Sequence, residues 1–236
     1  MSVYAISDLH GHYEIYEKVK QMLKPEDKVY CLGDCGDRGP RNFETIAAVY
    51  QDPQWTYIKG NHEDMLVKAL LEAKEASLYT PCLMSLLNNG GNKTFDEFTS
   101  LSNEEQDMWI TRLSNLPRQL TYVNENGRII HLTHAGYTPP IENNPDLLWD
   151  RTHFYDPWPD KFHTHIIVHG HTPVQYLATR LNNLLGTNFA DNDPHGAVKY
   201  CNNHKIDIDG GIYRYGYAIL LNLDTFEQII IHVEEE

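Results

Sequence analysis

Five short polar motifs, each directly behind a short apolar run, constrain this chain more than any other feature. Asp8-Leu9-His10 follows the run Ser2–Ser7, Gly33-Asp34 follows Lys28–Leu32, and Gly60-Asn61-His62-Glu63 follows Trp55–Ile58. Further on, His134 follows Arg128–Thr133 and Gly170-His171 follows Thr164–Val168. The apolar runs read as strands, and the segments Tyr13–Leu23, Asn42–Tyr50 and His62–Ala76 carry apolar residues at helical spacing. Strand, helix, strand, helix, strand implies right-handed crossovers and an α/β sheet. In such sheets ligands collect beyond the carboxyl ends of the strands. The five strand ends therefore converge on one pocket and bring to it Asp8, His10, Asp34, Asn61, His134 and His171. A folded core has no use for polar residues at five strand ends, because each must be desolvated.

The middle of the chain reads differently. Residues 77–120 contain no convincing strand, and Ser102–Leu116 looks helical, with Ser102 as N-cap and Glu105 three residues on. This stretch reads as a helical insertion on one side of the sheet, within a single domain spanning 1–236. Strands return at Leu120–Asn124, Arg128–Thr133, Thr164–Val168, Lys205–Ile208, Tyr217–Leu223 and Gln228–Val233, and about 180–204 reads as a long polar surface loop. The length, 236 residues, suffices for a substantial core. A formal charge of −14 argues against a basic surface that grips nucleic acid. No window reaches 18 apolar residues, so no membrane span is expected, and no targeting signal precedes Asp8. Cys31, Cys35, Cys82 and Cys201 form no CxxC pair and read as reduced thiols of a cytoplasmic protein, with Cys35 the one candidate for oxidation.

Carboxylate, imidazole and amide oxygen without cysteine suit Mn²⁺, Fe²⁺ or Zn²⁺ with open water positions. Six such donors exceed the needs of one ion beside a substrate. They fit two ions roughly 3.5–4 Å apart with a bridging carboxylate, an arrangement that acidifies water and holds phosphoryl oxygens. The run Gly33-Asp34-Cys35-Gly36-Asp37-Arg38-Gly39 adds a guanidinium suited to forked hydrogen bonds with phosphate. Asp37 is placed to pair with His62 and keep that imidazole protonated, so that it could deliver a proton to a leaving alkoxide.

The order and spelling of these pieces resemble the phosphoprotein phosphatase family of the calcineurin-like metallophosphoesterases, with motifs GD-x-HG, GD-x-x-DRG and GNHE followed by two histidine motifs. Here they read SDLHG (7–11), GDCGDRG (33–39), GNHE (60–63), THAG (133–136) and HGHTP (169–173). The likeness is greatest to the small bacterial and bacteriophage lambda-type members, supported by Leu86–Gly91 and Leu148-Trp149-Asp150-Arg151, and it spans roughly residues 3–223. The resemblance implies a four-layer α-β-β-α sandwich of two mixed sheets. It implies Asp8, His10 and Asp34 on a first metal, and Asp34, Asn61, His134 and His171 on a second, Asp34 bridging. It makes His62 the general acid oriented by Asp37, and Arg38 and Arg151 the phosphate ligands, with Asn61 beside them. Lys59, where close relatives often carry Arg, is a further candidate phosphate contact. Ser7 replaces the usual Gly, Cys35-Gly36 replaces an apolar pair, and His169 has no assigned role and reads as structural.

The implied reaction is in-line attack of a dimetal-held hydroxide on a phosphate monoester, in a phosphorylated protein (serine or threonine, or tyrosine) or a small phosphoester, with two divalent ions as cofactors. Mn²⁺ is the expected ion, and Fe²⁺ and Zn²⁺ also fit. Hydrolysis of dinucleoside polyphosphates such as diadenosine tetraphosphate is the first alternative, and Asp37 weighs modestly against it. A nuclease is disfavoured by Pro173, which stands where GH-x-H would place its second His. A metal-free scaffold predicts eroded ligands, whereas all six are intact. The sequence leaves oligomeric state open.

Overall fold

The computed structural model describes residues 1–75, 80–137, 147–186 and 195–234. The chain opens as β1 (Val3–Ile6), α1 (Tyr13–Met22), β2 (Lys28–Cys31), α2 (Asn42–Gln51), β3 (Trp55–Tyr57) and α3 (Asn61–Glu75). It continues through α4 (Pro81–Asn88), α5 (Asn92–Thr99), α6 (Asn103–Ser114), β4 (Gln119–Val123), β5 (Ile129–Thr133), β6 (His165–His169) and α7 (Val174–Leu185). It closes with β7 (Val198–Tyr200), β8 (Lys205–Asp207), α8 (Ile212–Tyr215), β9 (Tyr217–Asn222) and β10 (Gln228–His232). Two five-stranded sheets result, in the orders β10-β9-β1-β2-β3 and β4-β5-β6-β8-β7. Each is mixed. β1, β2 and β3 run parallel, as do β5, β6 and β8, while β9, β10, β4 and β7 join antiparallel. The expected α/β class with two mixed sheets is thus observed.

Period-two alternation decides which side chains go where. From β1, Val3 and Ala5, and from β9, Tyr217, Ile219 and Leu221, enter the layer between the sheets with Ile130, Leu132, Ile166, Val168 and Ile206. The intervening Ile6, Ala218 and Leu220 point outward, onto Ile15 and Val19 of α1, Ile46 and Val49 of α2, and Leu66 and Leu70 of α3. Each such fully buried aliphatic side chain contributes roughly 1.5–3 kcal/mol. On the outer side of the second sheet Ile167 packs with Tyr137, Leu147 and Trp158.

The region expected as a helical insertion holds three helices. α6 carries the anticipated capping box, with Ser102 Oγ accepting from Glu105 N–H and the Glu105 carboxylate accepting from Ser102 N–H. Edge-to-face contacts of Phe43 with Phe98 and Trp109, centroids 5.1 and 5.5 Å apart, dock α5 and α6 on α2. The loop expected at about 180–204 is corrected at both ends. α7 continues to Leu185, burying Val174, Leu177, Ala178 and Leu181 at i, i+3, i+4 and i+7. β7 lies within that stretch, and residues 187–194 fall outside the described residues. None of the described helices is long and apolar enough to cross a membrane.

Candidate metal centre

The loops after β1, β2 and β3 meet the loops after β5 and β6 where the two sheets face each other. The chain takes these turns in a backbone region that most residues avoid. Asp8, His10, Asp34, Asp37, Arg38 and His171 all have positive φ, between 44° and 70°. For residues other than glycine this left-handed conformation costs about 1 kcal/mol or more, and it persists only where surroundings enforce it. Close approach of the loops enforces it here. A Cβ on Gly33 would lie 2.6 Å from the backbone of Gly60, and one on Gly60 would lie 2.1 Å from Asp34 Oδ1.

Three imidazoles share one tautomer. His10 Nδ1–H donates to the Gly36 carbonyl at 2.9 Å, His134 Nδ1–H to the Leu32 carbonyl at 2.8 Å, and His171 Nδ1–H to Asn61 Oδ1 at 2.9 Å. These oxygens can only accept, so in its neutral form each ring carries its lone pair on Nε2. His171 Nε2 is buried and has no hydrogen-bond partner. His134 Nε2 faces Asn61 Oδ1 at 2.8 Å and Asp34 Oδ2 at 3.3 Å, two groups that can only accept. A lone pair aimed at acceptor oxygens calls for a cation or a proton between them. Accordingly, although burial opposes its charge, the carboxylates of Asp34 and Asp8 raise His134 to about 10. Burial likewise opposes the charge on Asp34, but His134 and His62 hold its carboxyl well below the usual range.

Two trios present ligand atoms within 4.8 Å of one another: His10, Asp34 and His62, and Asp34, His134 and His171. Asp34 belongs to both. Asp8 lies beside the first, its Oδ1 3.9 Å from His10 Nε2, while its Oδ2 accepts from Ser7 Oγ–H and His171 N–H. The donor set fits divalent ions: all these groups are buried, the His10 and His134 rings are fixed through Nδ1 by backbone carbonyls, and the acceptor oxygens of Asn61 and Asp34 converge on His134 Nε2.

Asp37 Oδ2 and His62 Nδ1 lie 2.6 Å apart, both buried. Burial works against a charge on His62, but Asp34 and Asp37 overcome it and raise its pKa. Arg38 reaches across the opening, donating to His10 Nε2 at 2.7 Å and to His62 Nε2 at 2.8 Å. A proton on His62 Nε2 and an Arg38 N–H cannot occupy that lone pair together, so protonating His62 there releases one arm of the guanidinium. Arg151, on the rim, donates through Nε to Thr172 Oγ1 at 3.1 Å.

The structure therefore brings together Asp8, His10, Asp34, Asp37, Arg38, Asn61, His62, His134 and His171, with Arg151 adjoining them. Lys59 is a correction. It is buried, and its ammonium donates at 2.7 Å to the carbonyl of Ser114, the last residue of α6, so it is tied to that helix end rather than turned to a phosphate. His169 is a core residue, 2.8 Å from the Tyr200 hydroxyl and lowered to about 3 by burial. Cys35 is fully buried with its Sγ 3.3 Å from Cys31 Sγ, and burial raises its thiol well above the ordinary value, which leaves little reactive thiolate.

Sequence reasoning passed over Glu63, Asp209 and Tyr213. Glu63 accepts from the N–H groups of Asp34, Cys35 and Gly60 at 2.9, 3.0 and 2.8 Å and so ties the loops after β2 and β3 into one unit. Its place in Gly60-Asn61-His62-Glu63 was the available signal. Glu63→Gln aims an amide N–H at a buried N–H and should lower stability by about 1–3 kcal/mol per donor left unpaired. A fall in chemical-denaturation midpoint with unchanged slope is the expected reading, and an unchanged midpoint would show that these bonds are dispensable. Asp209, just beyond β8, accepts from Gly211 N–H at 2.8 Å; its position beyond a strand end was again a signal. Tyr213 lies under the Arg38 guanidinium at 4.5 Å, and no sequence pattern announced it.

The calcineurin-like phosphoesterase family model matches residues 1–208. The chain is 28% identical over 138 residues to serine/threonine-protein phosphatase 2 of Escherichia coli (strain K12), covering 57% of this chain and 58% of that protein's length. It is 26% identical over 215 residues to an asymmetrical bis(5'-nucleosyl)-tetraphosphatase of Geobacillus sp. (strain WCH70), covering 74% of this chain and 80% of that one. Among solved structures, a putative diadenosine tetraphosphatase superposes with a TM-score of 0.63 at 17% identity, over 99% of this chain and 94% of that one. A cold-active protein-tyrosine phosphatase of Shewanella sp. gives 0.61 at 17% identity, over 97% and 77%.

Proposed function

The chain belongs to the calcineurin-like phosphoesterase family, and from that premise we propose that it hydrolyses phosphate monoesters of proteins, with water rather than a side chain as the nucleophile. The observation that carries this reading is the pair of buried ligand trios that share Asp34 and draw on both sheets. In this proposal Asp8, His10 and Asp34 hold one divalent ion, and Asp34, Asn61, His134 and His171 hold a second, Mn²⁺ being the ion we assign. Such a pair supplies Lewis acidity to the phosphoryl group and lowers the pKa of water. The rest of the work falls to side chains. Asn61 Oδ1 lies 2.9 Å from His171 Nδ1 and 2.8 Å from His134 Nε2, so three donors of the second ion would converge there. Arg38 and Arg151 bind the non-bridging phosphate oxygens through forked N–H groups. Asp37 holds His62 by Nδ1, so that Nε2 presents a proton to the departing alkoxide.

Hydrolysis of dinucleoside polyphosphates is the second reading, favoured by the relatives and the structural neighbour that carry that name. The Asp37–His62 pair weighs for the monoester, because an alkoxide needs a proton more than a phosphate leaving group does. The test is a substrate panel with Mn²⁺ supplied, together with elemental analysis of the purified protein. We expect two divalent ions per chain and turnover of a phosphoserine peptide exceeding that of diadenosine tetraphosphate. Protein free of divalent ions and inert toward every phosphoester would instead be a scaffold.

A further inference from the structure

Two of the eight arginines, Arg38 and Arg151, adjoin the metal centre, and two more, Arg180 on α7 and Arg214 on α8, lie on the helices that follow it. In a chain of net charge −14 this gathers half of the arginines into one region. Among the described residues Arg41 pairs with Glu44 and Glu17, whereas these four have no carboxylate within ion-pairing distance. Aromatic rings hold three of them instead. Arg38 lies over Tyr213 at 4.5 Å. Arg214 lies over Tyr176 and Tyr215 at 5.4 and 5.8 Å and donates to the Tyr176 hydroxyl. Arg180 donates to the Tyr155 hydroxyl at 2.5 Å. Cation–π support fixes a guanidinium without neutralising it.

Arg180, Tyr176 and Tyr215 line an open groove of about 800 Å³ between α7 and α8, with Gln175, Thr179, Asn183 and Leu184. The groove adjoins the centre. α7 begins three residues after His171, α8 carries Tyr213 toward Arg38 and Tyr215 toward the groove, and Arg151 is close enough to feel the charges of both Arg180 and Asp34.

We propose that this groove binds acidic residues flanking the phosphorylated side chain of a protein substrate, so that the enzyme selects phosphosites in acidic sequence. The inference rests on the phosphomonoesterase reading above and names the substrate class for it. Arg180 within the groove and Arg214 beside it, against Tyr176 and Tyr215, match carboxylates in fork geometry, and an open groove lets a peptide run through.

The test compares four substrates with Mn²⁺ supplied: p-nitrophenyl phosphate, diadenosine tetraphosphate, a phosphoserine peptide with alanine on both sides, and the same peptide with glutamates on both sides. The acidic peptide should show kcat/KM about tenfold or more above the neutral one, mostly through KM, and the advantage should shrink as salt rises. Arg180→Gln/Arg214→Gln should bring the two peptides within about twofold and leave p-nitrophenyl phosphate unchanged; both arginines are exposed, so the fold is not at stake. Equal use of both peptides by the wild type overturns the groove assignment. So does a double variant that loses diadenosine tetraphosphate turnover selectively, which would give the groove to a polyphosphate. A wild type inert toward p-nitrophenyl phosphate as well would defeat the phosphoesterase reading itself, a separable failure.

Discussion

His62→Asn is expected to slow hydrolysis of a phosphoserine peptide by about 10²–10⁴-fold, the usual contribution of a positioned general acid. On p-nitrophenyl phosphate, whose phenolate departs without a proton, the loss should stay within about tenfold. The reasoning is geometric. His62 Nδ1 is fixed by Asp37 at 2.6 Å, and Nε2 is the one ring atom left to face a leaving group. Asn can retain the contact with Asp37 and fill much of the space, and the His62 backbone N–H still reaches Asp34 Oδ1 at 3.0 Å. Asp37→Asn should give a smaller loss with the same leaving-group split. Equal losses on both substrates would mean that His62 serves the site's architecture, since a structural defect has no reason to distinguish leaving groups.

Asp34→Asn is expected to remove about 10³-fold or more of kcat/KM on every substrate. Asp34 is the residue common to both ligand trios, and each Lewis-acid contact is worth several kcal/mol of transition-state stabilisation. The amide can still accept from His62 N–H through its oxygen, so the loop should hold its course. It offers one oxygen where the carboxylate offered two, and it carries no charge to oppose that of the ions. Metal content by elemental analysis should fall from two ions per chain toward one or none, while far-UV circular dichroism stays the same. Near wild-type turnover at full metal loading would refute the bridging role.

The parts of this molecule that could be read from the sequence are those in which local pattern and tertiary role coincide. Val3–Ile6 alternates correctly for a strand, and the polar residues that follow it sit where strand ends place ligands, so fold and site were legible together. Val198–Tyr200 was not, because three residues in a polar stretch become a strand only through antiparallel pairing with Lys205–Asp207. The α7 stripe was present as Val174, Leu177, Ala178 and Leu181, but Asn182, Asn183 and Gly186 beside it drew the eye toward a loop. Lys59 shows the opposite error. Adjacency to Gly60 in sequence says nothing about direction, and the buried stem turns toward Ser114 instead. Tyr213 had no signal, since a ring that supports a guanidinium is defined by a partner 175 positions earlier in the chain.

The ligand atoms come from loops on both sheets, and Asp8 accepts a hydrogen bond from a residue 163 positions away. Neither sheet alone supplies both halves of the donor set. During folding, chelation must therefore wait until the two sheets have docked, a late event for contacts so distant in sequence. Ion uptake then consolidates a finished sandwich rather than nucleating it. Bound ions would act as a clasp, adding the free energy of their binding to what already holds the two sheets together.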